Sequence, residues 1–330
     1  MPLLLYILQQ KWTQFLLKNE FCNSGLILAT MEFAEARILT CQQGRLNLSH
    51  LALSALPKIP DGITDLRCDS NNLTDLPVLP AGLTALAAHN NNLSSLPLLP
   101  SCLERLSCYG NKLTELPPLP ECIGTIWCQS NMIEHISKLP TSLWHFNCCY
   151  NELTMLPALP SGLRAMLAHK NKLEALPELP ETLVELWCQR NRLTELPELP
   201  TGLVHLFCGD NKLKSLPPLP AGLKRLDCSN NRLTALPPLP EGLTELLCDG
   251  NLFATRREGE SIVEFVERLD RIESSKRMAE RCRAVKEELM AICWHAKRLA
   301  RIIESHPADQ WNHEMQQYGE LEFTTADEIF

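Results

Sequence analysis

The sequence lacks most of what marks an enzyme or a nucleic-acid binder. It contains no glycine-rich phosphate loop, no H-E-x-x-H and no nucleophile elbow, and His313-Glu314 stands without a second histidine. Those absences leave no candidate catalytic residues, so no enzyme is expected. The 15 cysteines include no C-x-x-C pair, and neither a metal nor a cofactor is expected. Positive charge is in short supply: 31 Lys and Arg against 39 Asp and Glu leave a net charge of −8, with no basic footprint for DNA or RNA. Long apolar runs are missing too. Leu3-Leu4-Leu5-Tyr6-Ile7-Leu8 is interrupted by Lys11, well short of the roughly 18 residues a membrane span needs. No basic leader precedes that run and no small-residue cleavage site is evident, which argues against a signal peptide.

Between residues 60 and 251 there is no insertion or deletion either. Ten asparagines stand 20 residues apart, at Asn71, Asn91, Asn111, Asn131, Asn151, Asn171, Asn191, Asn211, Asn231 and Asn251. A register this strict implies a solenoid in which every unit does one structural job. The unit at residues 221–240, AGLKRLDCSNNRLTALPPLP, contains L-x-x-L-x-C-x-x-N-x-L, the leucine-rich-repeat pattern. Arg225-Leu226-Asp227-Cys228 alternates outward and inward, as a strand buried on one face must. Leu223, Leu226, Cys228, Leu233 and Leu236 are the expected core, and Asn231 sits where the chain leaves the strand. An amide both donates and accepts, so a column of them can satisfy buried backbone groups.

Each unit ends in L-P-x-L-P, with Ser137 alone replacing the first proline. Two prolines three apart remove amide donors and disfavour helix, leaving an extended, polyproline-like back. The expected fold is thus an α/β repeat solenoid, a leucine-rich-repeat horseshoe. A parallel β-sheet forms its concave face, an extended back its convex face, and helices cap both ends. Ten strands about 4.8 Å apart span on the order of 50 Å, with shallow curvature. Eight cysteines (Cys68, Cys108, Cys128, Cys148, Cys188, Cys208, Cys228 and Cys248) share one inward strand position, and Ala88 and Ala168 fill its gaps. The slot requires a small apolar side chain, which points to a reducing, cytoplasmic compartment rather than to disulfides. Cys102 and Cys122 take a turn position that is glycine in six other units, as neighbours in a thiol ladder.

Four segments follow. Residues 1–45 form an N-terminal cap of one or two helices, with Trp12, Phe15 and Leu16 and then Phe33, Ala36, Ile38 and Leu39 as apolar faces. A membrane-surface helix at residues 1–20 is the other reading, and Met31 is a second candidate start. Residues 46–251 are the solenoid. In residues 252–306, Ser261 and Glu264 form a capping box, followed by Ile262, Phe265, Leu269 and Ile272 at helical spacing to seal the solenoid's far end. Ser274-Ser275 marks a break. Met278, Cys282, Val285, Leu289, Ile292, Ala296, Leu299 and Ile303 then describe a heptad seam that ends before Pro307, fit to pack on the cap or to self-associate. Residues 307–330 carry carboxylates and no Lys or Arg, and read as an acidic, poorly ordered tail.

The entry unit Cys41-Gln42-Gln43-Gly44-Arg45-Leu46-Asn47-Leu48-Ser49, together with the double-proline backs, resembles the bacterial leucine-rich-repeat effectors of the YopM, IpaH and SspH type. The resemblance covers about residues 34–251. It implies a protein that enters host cells and binds a host protein in the cytoplasm. Many members add a ubiquitin ligase domain with a catalytic C-x-D motif. Cys282-Arg283-Ala284 and Cys293-Trp294-His295 do not match it, Cys208-Gly209-Asp210 falls in the inward column, and the 79 residues after Asn251 are too few for that domain. A role as substrate-recognition subunit of a ubiquitin machine, recruited by residues 275–305, remains an alternative reading. So does a scaffold that self-associates through Met278–Ile303. Val285 to Arg298 also resembles a short tail on proteins of nucleocytoplasmic large DNA viruses, so the resemblances leave both a bacterial and a viral origin open.

Binding residues are expected on the outward strand positions, which have no packing duty. The candidates are Arg67, Tyr109, Trp127, His145, Tyr150, Leu167, His169, Trp187, His205 and Phe207, for contact with a protein partner on the concave face. His145 and His205, about 14 Å apart by strand spacing, are too distant to share an ion.

Overall fold

The computed structural model describes residues 23–41, 44–254, 257 and 260–305. The possible first helix of residues 1–20 and the acidic tail of residues 307–330 lie outside the described residues. The chain divides into two compact units, the first ending at Arg256 and the second beginning at Arg257.

The first unit starts with helix α1 (Asn23–Thr40), followed by eleven three-residue strands. These are β1 (Arg45–Asn47), β2 (Asp65–Arg67), β3 (Ala85–Ala87), β4 (Arg105–Ser107), β5 (Thr125–Trp127), β6 (His145–Asn147), β7 (Ala165–Leu167), β8 (Glu185–Trp187), β9 (His205–Phe207), β10 (Arg225–Asp227) and β11 (Glu245–Leu247). All are parallel and lie in sequence order in one sheet. Ten strands were expected. The entry unit supplies the eleventh, because Arg45-Leu46-Asn47 pairs with Asp65-Leu66-Arg67 in the same register as every later pair. β1 is an edge strand, and α1 packs against it. Arg37 of α1 donates from its guanidinium to the Asn47 carbonyl at 2.7 Å, satisfying an acceptor at that edge.

Alternation does the sorting. The middle residue of each strand is buried and its neighbours are half-buried or exposed, Ala85 and Thr125 excepted, with Phe146 and Met166 replacing the usual leucine without exposure. In the unit of residues 221–240, Leu223, Leu226, Cys228 and Leu233 are buried as expected, while Leu236 is half-buried. The proline backs contain neither helix nor strand. From Pro80 to Pro240 each is closed by a turn in which a proline carbonyl accepts from the Leu or Ile three residues on, as Pro200 does from Leu203 at 3.1 Å.

The asparagine column ties unit to unit. Asn171 donates from Nδ2 to Cys148 O of the preceding unit (2.9 Å) and Ala168 O of its own (3.1 Å). Its Oδ1 accepts from Leu153 N at 3.1 Å. The same set recurs at Asn191 and Asn211, so one side chain serves three backbone groups at a place with almost no access for water. The cysteine column lies beside it, and burial pushes the Cys68, Cys108 and Cys188 thiols up to about 12. Thiols held protonated in this way pack as small apolar groups and are poor nucleophiles. Cys102 does something else. Its thiol donates to Ala81 O (3.0 Å) and Leu83 O (3.4 Å), the bonds that Thr182 makes to Ser161 O and Leu163 O. It is therefore a turn donor.

In the second unit the capping box forms. Ser261 N donates to Glu264 Oε2 at 2.9 Å, and Glu264 N donates to Ser261 Oγ at 3.2 Å. Beside it, Arg268 grips Glu260 through Nε and a terminal nitrogen, both at 2.8 Å. Helix α2 (Ile262–Ser305) then runs 44 residues without interruption, so the break expected at Ser274-Ser275 does not occur. The Ser275 hydroxyl donates to the Arg271 carbonyl one turn back at 2.8 Å, a bond made inside a helix rather than at its end. The described part of the helix ends at Ser305, so the stop expected before Pro307 lies at the limit of the described residues.

Candidate functional site

The outward strand positions and the turn that follows them build one surface feature, a line of rings. Tyr150 meets His169 (centroids 5.2 Å, edge-on), His169 meets Trp187 (5.8 Å), and Trp187 meets Phe207 (4.9 Å). Tilted and edge-on contacts at these separations suit the ring quadrupoles. The spacing follows from the register: Trp187 pairs with Phe207 across β8 and β9, and His169 lies two residues beyond Leu167 on β7. A second cluster joins Trp127 to His145 (5.5 Å) and His145 to Trp144 (5.9 Å). Tyr109 stands apart, stacked on His89 at 4.2 Å. Leu167 sits in register between Asn147 and Trp187, His205 in register with Glu185, and Arg67 is exposed on β2.

The rings shield one another. Trp127, Trp187 and Phe207 are half-buried rather than bare, and Tyr150 is exposed. The Trp187 indole is pinned by its Nε1–H, which donates to Glu185 Oε1 at 2.7 Å. Orientation fixed in the free protein lowers the ordering cost of binding. Burial pushes His145 and His169 below the ordinary histidine value, with Lys170 and Arg190 adding to the effect at His169. Both imidazoles therefore stay neutral near pH 7, as packing against apolar rings requires. Protons are taken up more readily by the unfolded chain, so this contribution to stability is lost as pH falls below about 6.5.

Three features escaped the sequence reading. Trp144, 50% exposed, stands where other units carry Thr, Glu, Gly, Arg, Val or Lys. Its ring is accommodated by Gly124, since a Cβ there would meet Trp144 Nε1 at 2.8 Å. Near the other end, His89 bridges Ser107 Oγ (Nδ1, 3.1 Å) and the buried Asp69 (Nε2 to Oδ2, 3.5 Å). Farther along, Cys149 Sγ lies 2.8 Å from His169 Nδ1, but burial holds that thiol up at about 12, so it is a partner for the ring and not a thiolate. Among the described residues, no group of three or more His, Cys, Asp or Glu side chains is placed to hold a metal ion. Nor, among those residues, is any helix long and apolar enough to cross a membrane.

The family described as Leucine Rich repeats (2 copies) matches residues 201–241. No curated protein matches the chain. Solved structures do. YopM from Yersinia pestis is 38% identical with a TM-score of 0.63, over 67% of this chain and 65% of that one. YopM from Yersinia enterocolitica WA-314 is 40% identical with a TM-score of 0.60, over 61% and 45%. This chain thus spans 45% to 65% of the YopM chains it matches. The functional domain of InlJ from Listeria monocytogenes, which includes a cysteine ladder, is 24% identical with a TM-score of 0.53 over 63% and 53%, a likeness of fold alone. A leucine-rich-repeat solenoid is generally a non-catalytic interaction scaffold, and with its 20-residue units, double-proline backs and identity to YopM this chain is similar to the bacterial leucine-rich-repeat effectors.

Proposed function

We propose that the chain is a non-enzymatic protein-binding module that receives a host protein on the outward, concave face of its sheet, and that it acts in the host cytoplasm as an effector. The observation that carries this reading is the ring line from Tyr150 to Phe207, fixed in orientation yet open to solvent along its length. Aromatic anchors of this kind supply most of the energy at protein interfaces. Effector use of that face rests on the likeness to YopM. The test is affinity capture from host lysate with the full chain and with Trp127→Ala/Trp187→Ala/Phe207→Ala. Loss of the captured protein from the variant is the expected result. Recovery of the same proteins by both would place the binding surface elsewhere.

A second reading has its own observation. Met278 and Val285, both on the heptad seam of α2, are 62% and 53% exposed. An apolar seam left open in this way is suited to a second copy of the helix. Light scattering on the full chain with Met278→Glu/Val285→Glu checks it. A lower mass than the unaltered chain supports self-association, and an unchanged mass rules it out.

A further inference from the structure

We propose that the edge of the ring line, along the turns that follow β6 to β10, docks an acidic stretch of the partner protein, in which Asp or Glu side chains neighbour an apolar one. This rests on the reading that the outward face binds a protein, and it names the chemistry of what is bound.

The first support is backbone strain in an unexpected place. The turn after every strand holds a residue of positive φ, between 51° and 71°, and the entry turn after β1 holds two, His50 and Ala52. Glycine takes this region freely, Asn and Asp readily, and bulky side chains at a cost on the order of 1 kcal/mol. Most units respect this, with Ser70, Asn90, Gly110, Ser130, Asp210, Asn230 and Gly250. Three consecutive units do not: Tyr150, Lys170 and Arg190 hold φ of 54°, 54° and 57°. These three border the ring line, with Lys170 Nζ 4.2 Å from the centre of the Tyr150 ring. Packing does not explain their size, since Tyr150 is 46% exposed and the Arg190 side chain 57%. Strained, bulky and exposed side chains are retained for what they touch outside the fold.

The second support is charge. Two residues beyond that position, Arg192, Lys212 and Arg232 follow one another, one per unit and all exposed. Strand spacing puts such neighbours on the order of 5 Å apart, where like charges repel. Among the described residues no carboxylate forms an ion pair with any of the three, or with Lys170, whereas Arg190 is paired with Asp210 at 3.3 Å. A basic ridge on a chain of net charge −8 is a local feature that an acidic segment would complement.

A single-stranded nucleic acid would also meet cations beside rings. It fits less well. The rings are inclined to one another by 40° to 76° and cover each other's faces, leaving no parallel platform for successive bases.

A random peptide library selected on the immobilised full chain decides the matter, alongside Lys170→Glu/Arg192→Glu/Lys212→Glu and Trp187→Ala/Phe207→Ala, each verified as folded by circular dichroism. The expected pool from the unaltered chain is enriched in Asp and Glu. Charge reversal should weaken that pool's binding roughly tenfold or more and favour Lys and Arg instead, and the ring variant should retain little of it. A pool without acidic enrichment that still needs Trp187 and Phe207 sinks the acidic segment and leaves the binding face standing. A pool held equally by the ring variant sinks both. Single-stranded poly(U) retained more tightly than any selected peptide would replace the protein segment with RNA.

Discussion

Replacing Asn171 by Leu is expected to lower the unfolding free energy by about 2–4 kcal/mol, measured by urea denaturation, even though leucine is more apolar than asparagine. The side chain accepts from Leu153 N and donates to Cys148 O and Ala168 O. Leucine would leave the Leu153 N–H without a partner where water has almost no access, at about 1–3 kcal/mol, while Cys148 O and Ala168 O each lose one of two bonds and keep those from Asn151 and Asn191. Asn251 provides the internal control. It makes equivalent bonds to Leu233 N, Cys228 O and Cys248 O, but in the last unit it is only half-buried. Water can replace part of that set, so Asn251→Leu should cost about 1 kcal/mol. Equal losses at the two positions would mean that the column acts through something other than buried hydrogen bonds.

The second large effect separates two adjacent residues of β8. Leu186 points inward and is fully buried, and Leu186→Ala should cost about 2–5 kcal/mol of stability through lost burial and a cavity. Trp187 points outward and is half-buried. Trp187→Ala should cost about 1 kcal/mol in stability, the value of its ring contacts. Together with Phe207→Ala it should weaken binding of the captured partner roughly a hundredfold. Thermal melts and titrations on the same preparations give both numbers. If Trp187→Ala proves the more destabilising, the division of labour along the strand is wrong.

The spacing made this division legible without coordinates. A fixed period commits alternate side chains to one side or the other, and Cys188, Leu193 and Asn191 take the places that the period assigns. The capping box could be read because both of its members lie within one turn of sequence. What stayed hidden has particular causes. The serine pair at 274–275 looks like a helix end by composition, yet a serine can return its hydroxyl to the preceding turn and let the helix continue. Trp144 sits one residue before the strand, where a period-two pattern assigns no face. The positive-φ column was written in the recurring Ser, Asn, Asp and Gly of that position. Beyond His50 of the entry unit, its meaning lay in the three consecutive units that depart from them, and a hydrophobicity pattern does not weigh backbone strain. Ring-to-ring contact across units depends on side-chain rotation, which spacing does not determine.

Side-chain oxidation of the full chain, followed residue by residue by mass spectrometry with and without the captured partner, tests the central assignment most directly. Trp127, Trp187 and Phe207 should be modified in the free chain and protected in the complex, while the cysteines at 188, 208 and 228 stay unmodified in both. Oxidation of those thiols in the folded free chain, or rings that remain equally reactive with the partner bound, would contradict it.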